Sequence, residues 1–304
     1  MCNASLAEGR LPVSQRHAIV TPRLKKAGAD QTNIKNYRPI SNLTFMLKIV
    51  EKLVCRQLIT HLELHGLIPG LQSSYRRGHS TETALLKVIS DILMAADRGQ
   101  VILLKMLDLS AAFDTVDHDI LIDRLHQAFG IQGAAQTWIE FFITNRTQSV
   151  SFAGRLSSSS AVTCGVTQGS VLGPVLFLLY TADVLNIVRR HRMGSHSYAD
   201  DTQVYSHCHF SWNMCNASVL SMVACIGEIN SWMTSNRLKL NTDKTDFILL
   251  GTRQQLGKIS LKEIDIKGVK VPVSTTVTCL SVLIDSELMF ATHIRRLTGF
   301  YQLR

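Results

Sequence analysis

The chain of 304 residues contains no Cys-x-x-Cys pair, no internal repeat and no clean apolar run of membrane-spanning length. Each absence removes a class of protein. Its seven cysteines, at 2, 55, 164, 208, 215, 225 and 279, form an odd, scattered set. That argues against a disulfide framework and for reduced thiols in an intracellular setting. His207, Cys208, His209 and Cys215 lie close in sequence, but their spacing fits no zinc pattern. The N-terminus lacks the apolar core of a signal peptide. The four Asn-x-Ser/Thr triplets, starting at Asn3, Asn42, Asn145 and Asn216, therefore carry no weight. The most apolar stretch, 171–188, is interrupted by Gly173, Pro174 and Asp183. It reads as a buried helix, and no membrane partner is expected.

What is present is a globular composition, 46% hydrophobic and 18% charged, enough for one large or two medium domains. The formal charge of +9 suits a polyanionic partner. The basic residues, among them Arg23, Lys25, Lys26, Arg189, Arg190 and Arg192, are dispersed, as on a surface or channel and unlike a basic tail. Hydrophobic periodicity predicts helices over 40–64, 81–96, 117–129 and 135–144, with Ser80 to Thr83 capping the second. Residues 101–109 are almost continuously apolar and read as a buried strand. Residues 148–152 and 161–164 read as a strand pair around a Ser-rich loop. A single helix is expected from Gly169 toward Arg190, with Pro174 in its first turn. An amphipathic helix bearing Val219, Val223, Ile226, Ile229 and Met233 follows, then a strand over 247–250. Residues 1–35 carry no clear pattern.

Between those last helices lies Tyr198-Ala199-Asp200-Asp201. It reads as a hairpin whose tip is the Asp-Asp pair, since Asp tolerates tight-turn dihedrals. Two adjacent carboxylates repel unless a cation neutralises them, and hard divalent ions favour such oxygen ligands. The element order strand–helix–hairpin–helix–strand is that of a split βαβ sheet. In that topology the first strand pairs with the hairpin. Asp108 then meets Asp200 across 92 positions of sequence, and three carboxylates at one sheet edge define a two-ion site.

Six segments in order carry a family resemblance. They are Asn36 to Ser41, Gly78 to Ala84, Leu107 to Asp114, Gly165 to Pro174, Tyr198 to Asp201 and Leu238 to Thr245. Together they resemble the reverse transcriptases of LINE-type non-LTR retrotransposons, from about residue 36 to the end. The resemblance implies an α+β right-hand polymerase with a ferredoxin-like palm, mostly helical fingers and a truncated thumb. The expected divisions are a basic segment over 1–35, fingers over 36–100 and palm over 101–119. An insert over 120–160, palm again over 161–250, and a primer-grip hairpin with the start of a thumb over 251–304 complete them.

The resemblance further implies RNA-directed DNA polymerase activity with two Mg²⁺ ions, Mn²⁺ being a substitute. RNA template, DNA primer and dNTPs would be the partners, and the nucleus the place of action. Asp108, Asp200, Asp201 and the carbonyl of Leu109 would hold metal. Lys244 would be a general acid toward the pyrophosphate. Phe113 would be a steric gate against the ribose 2′-hydroxyl, Gln168 and Gly169 would line the nucleotide, Arg76 would grip its triphosphate, and Arg38 would lie near the template. Three departures stand out: Thr167 replaces a usual Pro, Ser74 to Gly78 loses a Gly and a Pro, and Ser281 stands at a usual Gly. The end at Arg304, and the lack of an upstream endonuclease or downstream Cys/His segment, suggest an excised or decayed piece of a longer frame. The alternatives are a non-catalytic nucleic-acid-binding remnant and an RNA-templated RNA polymerase, which Phe113 disfavours.

Overall fold

The computed structural model describes residues 2–208, 212–241, 246–259, 261–266 and 268–302. In chain order the elements are α1 (Cys2–Glu8), β1 (His17–Leu24), β2 (Tyr37–Asn42), α2 (Phe45–Leu64), α3 (Thr81–Asp97) and β3 (Val101–Leu107). Next come α4 (His118–Phe129), α5 (Gly133–Ile143), β4 (Arg146–Phe152), β5 (Arg155–Leu156), β6 (Ser160–Val162), α6 (Gly173–Tyr180) and α7 (Asp183–Arg190). The rest are β7 (Gly194–Tyr198), β8 (Asp201–Cys208), α8 (Trp212–Ser235), β9 (Phe247–Leu250), α9 (Arg253–Leu256), β10 (Glu263–Ile266), β11 (Val269–Ser274), β12 (Thr276–Cys279), β13 (Val282–Asp285) and α10 (Ala291–Gln302).

The chain forms two compact units. The first comprises Met1–Ile68, Ala111–Thr181 and Asn236–Leu238. Its sheet runs β2-β1-β4-β5, with β6 also on β4. Trp138, Phe142 and Phe177 are fully buried in this unit. The unpatterned N-terminal segment thus contributes strand β1, which pairs with β2 over its last six residues and with β4 over its first four. Pro22 is tolerated because it lies beyond the β4 pairing, where its missing N–H removes no ladder bond.

The second unit comprises Pro69–Ser110, Ala182–Ser235 and Lys239–Arg304. Its six-stranded sheet has the order β10-β11-β9-β3-β8-β7. Within it β9-β3-β8-β7 is antiparallel throughout, the strand order of a ferredoxin-like split βαβ. All seven residues of β3 are buried, which is why the run is apolar without alternation. Ile102, Leu104 and Met106 pack with Val88 and Ile92 of α3 and with Val277 and Ile284 of the β12–β13 ribbon. The Ser80 side chain caps α3 in a reciprocal box with Thr83.

Several expected boundaries move. The helix expected from residue 40 begins at Phe45, because 37–42 pair as β2. The single helix expected from Gly169 to Arg190 is two, α6 and α7. Strand β3 ends at Leu107, two residues early, and Asp108 follows it outside the ladder. The β12–β13 loop is Leu280-Ser281, with φ of 46° and 72°. Ser281 therefore does occupy a left-handed position that Gly would fill at lower cost.

Lys105 is the anomaly of β3. It is fully buried and lies 3.9 Å from the centroid of the Phe247 ring. Its ammonium has no hydrogen-bond partner among the described residues. Burial, partly opposed by the charge of Asp246, pushes its pKa down to about 7. Below pH 7 folded and unfolded chains both hold the proton, and the cost of burying it is complete. Between about 7 and the ordinary 10.5 only the unfolded chain holds it, so stability rises with pH through that window. Urea denaturation of Lys105→Met should show a gain of roughly 3 kcal/mol at pH 6. That gain should shrink toward pH 10.

Candidate active site

Asp108, Asp200 and Asp201 all fall at one end of the β3–β8 ladder in the second unit, and sheet register sets that end. Strand β3 pairs with β8 from Val101↔Cys208 to Leu107↔Thr202. Asp108 follows directly after the last pair on β3, and Asp201 directly precedes it on β8. Strand β7 pairs with β8 as far as Tyr198↔Asp201. The two-residue tip is therefore Ala199-Asp200, one position earlier than expected, and Asp201 belongs to β8. Ala199 carries the positive φ, 56°, which costs about 1–2 kcal/mol in a non-glycine residue.

Asp108 is held from behind. Its carbonyl accepts from the Asn241 backbone N–H at 2.9 Å, and its Oδ2 accepts from Asn241 Nδ2 at 2.9 Å. Leu109 bridges Leu240, and the Ser110 N–H donates to Lys239 O at 2.9 Å. Asn241 thus orients the carboxylate. The sequence placed it in a matched segment without a role. Asp201 bears on the β12 end of the ribbon: burial, and then the Asp201 charge, push the Cys279 thiol up to about 12.

Among the described residues, no three His, Cys, Asp or Glu side chains close around a single point tightly enough to hold an ion unaided. Mg²⁺ sites of phosphoryl-transfer enzymes have this character: one or two carboxylates, with water and substrate phosphates completing the octahedron. The oxygen donors of Asp108, Asp200 and Asp201 fit that chemistry. Arg76 belongs to the same unit, in a turn where Tyr75 has φ 55° and Gly78 φ 75°. It is half-buried, and its Nη1 donates to Gly70 O at 3.4 Å. Lys244 lies outside the described residues.

The first unit holds Phe113, Gln168, Gly169 and Arg38. Phe113 is half-buried and stacks on Phe177, centroids 4.9 Å apart. Its carbonyl accepts from the Val166 N–H at 2.7 Å. Two residues on, the Gln168 carbonyl accepts from the Ser41 N–H at 2.8 Å. A cavity of about 350 Å³ in this unit is lined by Ser41, Asp114, Arg146, Gln148, Gly165 and Gln168. Arg146 Nη2 and Gln168 Oε1 have no hydrogen-bond partner among the described residues. Arg38 is exposed on β2, directly across from Arg23 on β1.

The loop before α6 owes its shape to a residue the sequence hid. Glu51, on the apolar side of α2, is fully buried. Its Oε2 accepts from the Val171 and Leu172 N–H groups at 2.6 and 3.1 Å. Burial raises the Glu51 pKa, while these two bonds pull it down. Glu51 and the Ser170 hydroxyl, which accepts from Gly173 N at 2.6 Å, tie down the loop that Thr167 would otherwise loosen.

An antiparallel palm-type sheet carrying carboxylates at one end defines a right-hand nucleic-acid polymerase fold. Solved structures agree on that fold. A telomerase of Candida tropicalis matches with a TM-score of 0.56 at 14% identity, over 90% of this chain and 56% of that one. A telomerase of Candida albicans matches at 0.51 and 14%, over 97% and 52%. The family described as reverse transcriptase (RNA-dependent DNA polymerase) matches residues 24–283, and the chain belongs to it.

Its relatives include a probable RNA-directed DNA polymerase from transposon BS of Drosophila melanogaster, 27% identical over 90% of this chain and 30% of the relative. The RNA-directed DNA polymerase from mobile element jockey of the same fly is 26% identical over 99% and 32%. Both relatives belong to mobile elements. The chain spans about a third of their length. Among the described residues no helix is long and apolar enough to cross a membrane.

Gly169 offers a direct check on the loop. It has φ 103°, and a Cβ there would stand 2.7 Å from Ser41 O. Gly169→Ala should lower Tm by roughly 5 °C. Gly299→Ala, with open space around it, should leave Tm unchanged or raise it slightly. Thermal melts of the two variants decide.

Proposed function

We propose that this domain catalyses RNA-templated DNA synthesis, adding a deoxynucleotide to a primer 3′-hydroxyl. The observation that supports the reading is the β3–β8 register, whose one end is flanked by Asp108, Asp200 and Asp201 in a chain of the reverse transcriptase family. Asp108 and Asp200 are the chief metal ligands, with Asp201 and the Leu109 carbonyl assisting. When bound, two Mg²⁺ ions, or Mn²⁺ in their place, supply Lewis acidity toward the attacking oxygen and the departing phosphates.

The primer 3′-hydroxyl loses its proton to solvent water as its oxygen bonds to the α-phosphorus; the bond from that phosphorus to the bridging oxygen breaks, and pyrophosphate leaves with the electron pair. Asn241 keeps the Asp108 carboxylate aimed through its amide. Arg76 meets the triphosphate with a planar fork of donors suited to phosphate. Lys244 protonates the leaving pyrophosphate. Gln168 and Gly169 lie along the nucleotide, where Gly169 lets backbone approach closely.

Phe113, whose ring stacks on Phe177, is on family membership the gate against a ribose 2′-hydroxyl and selects dNTPs. Arg38 and Arg23 are like charges facing across an antiparallel pair, an arrangement that is unfavourable in itself. A template phosphate over both would relieve it. We place the RNA template along this surface and the action in the nucleus, on family membership.

Primer extension on an RNA template tests the assignment. Asp200→Asn should lower extension at least 10³-fold, as expected when a metal-bound carboxylate is lost. Equal extension by wild type and Asp200→Asn would refute it. Template retention without turnover by the wild type would point to a binding remnant. Phe113→Val should raise rNTP incorporation relative to dNTP by about 10–100-fold, as removal of steric exclusion requires. An unchanged ratio would remove the gate.

A further inference from the structure

We propose that Gln72 is a positioning residue for the carboxylate turn, its side-chain amide clamping the backbone of Ala199. The proposal rests on the reading of Asp200 and Asp201 as metal ligands, and its geometry lies wholly within the second unit.

Strand β7 is the edge of the six-stranded sheet. Residues 71–73 cover part of that edge: the Ser197 N–H donates to Leu71 O at 2.8 Å, and the Ser73 N–H to Ser197 O at 3.0 Å. Gln72 is bridged in parallel to Ser197. Beyond Ser197 the Gln72 side chain takes over. Its Nε2 donates to Ala199 O at 3.3 Å, and its Oε1 accepts from Ala199 N at 3.1 Å.

One primary amide thus pairs with both backbone groups of one residue, as a neighbouring strand would. The amide is itself fixed. The same Oε1 accepts from Ser74 N and Ser74 Oγ, each at 3.0 Å. Two backbone N–H donors on one oxygen leave no freedom to exchange O and N. Gln72 is only 4% exposed, so water competes poorly for these bonds.

Ala199 needs the help. It is the positive-φ residue of the tip, a conformation a Cβ disfavours, and it immediately precedes Asp200. A loop with a strained first residue relaxes unless neighbours over-determine it. Relaxation would swing Asp200 and disturb the first pair of β8, Tyr198↔Asp201. The clamp joins residues 127 positions apart in sequence, tying the segment that leads into Arg76 to the carboxylate hairpin.

The test uses Gln72→Met, Ala199→Gly and the double variant of the whole chain. Hydrogen exchange at the Ala199 amide and Mn²⁺ binding by electron paramagnetic resonance are the readouts. Gln72→Met should speed Ala199 exchange and weaken Mn²⁺ binding, each by about tenfold, as expected for loss of a buried hydrogen-bonded pair. Adding Ala199→Gly should recover at least part of the Mn²⁺ affinity, because Gly takes positive φ without strain. A residue that only filled space would give no such rescue.

If Gln72→Met does not fold, Gln72→Asn, one methylene too short to reach Ala199, replaces it with the same expectations. Unchanged exchange at Ala199, or a double variant binding Mn²⁺ no better than the single one, would overturn the clamp. Asp200→Asn separates the two claims. If it binds Mn²⁺ like wild type, the metal reading fails, and exchange at Ala199 still decides the clamp.

Discussion

The antiparallel register of β3 against β8 is the constraint on which the site depends. Seven consecutive pairs, ending at Leu107↔Thr202, fix which residue leaves the sheet beside which. A slip of one residue would turn Ile102, Leu104 and Met106 out of the core they form with α3. Burial of those side chains, each contributing roughly 2 kcal/mol, therefore holds the register at whose end Asp108 leaves β3. The carboxylates spend none of their own interactions on being brought together. They are delivered by hydrophobic packing several residues away.

Around that frame the chain holds its irregular segments with polar side chains. Asn241 steadies Asp108, Gln72 steadies the Ala199 turn, and Glu51 steadies the loop before α6. Gln72 and Glu51 bond backbone that no helix or strand satisfies, which is where buried polar groups are worth most, while Asn241 bonds the Asp108 carboxylate itself. Ala199, a non-glycine residue at positive φ, adjoins Asp200 and is restrained from outside its turn by Gln72.

Much of this architecture is legible in the sequence, for physical reasons. A nearly continuous apolar run, broken in β3 only by Lys105, reads as a doubly buried strand or a buried helix, and its length and flanking Gly99 favour the strand. The order of helices around the Tyr198 hairpin leaves few sheets to build. Other features resist reading. The tip falls on Ala199-Asp200 because pairing decides loop length, and Ala gives no local sign of a left-handed turn. Strand β1 contains Pro22 and alternates weakly. Glu51 sits in an apolar stripe as a charge, which a pattern assigns to solvent. Its partners, the N–H groups of Val171 and Leu172, are 120 positions away and invisible to any local window.

The central claim is that the β3 end and the hairpin tip share a divalent cation. Fe²⁺ exchanged for Mg²⁺ in the whole chain, with ascorbate and peroxide, cuts backbone only within a few ångströms of the bound ion. The account predicts cleavage confined to the neighbourhoods of Asp108 and of Ala199 to Asp201, suppressed by excess Mg²⁺ and absent from Asp200→Asn. Cleavage elsewhere, or an unchanged pattern in Asp200→Asn, would contradict it.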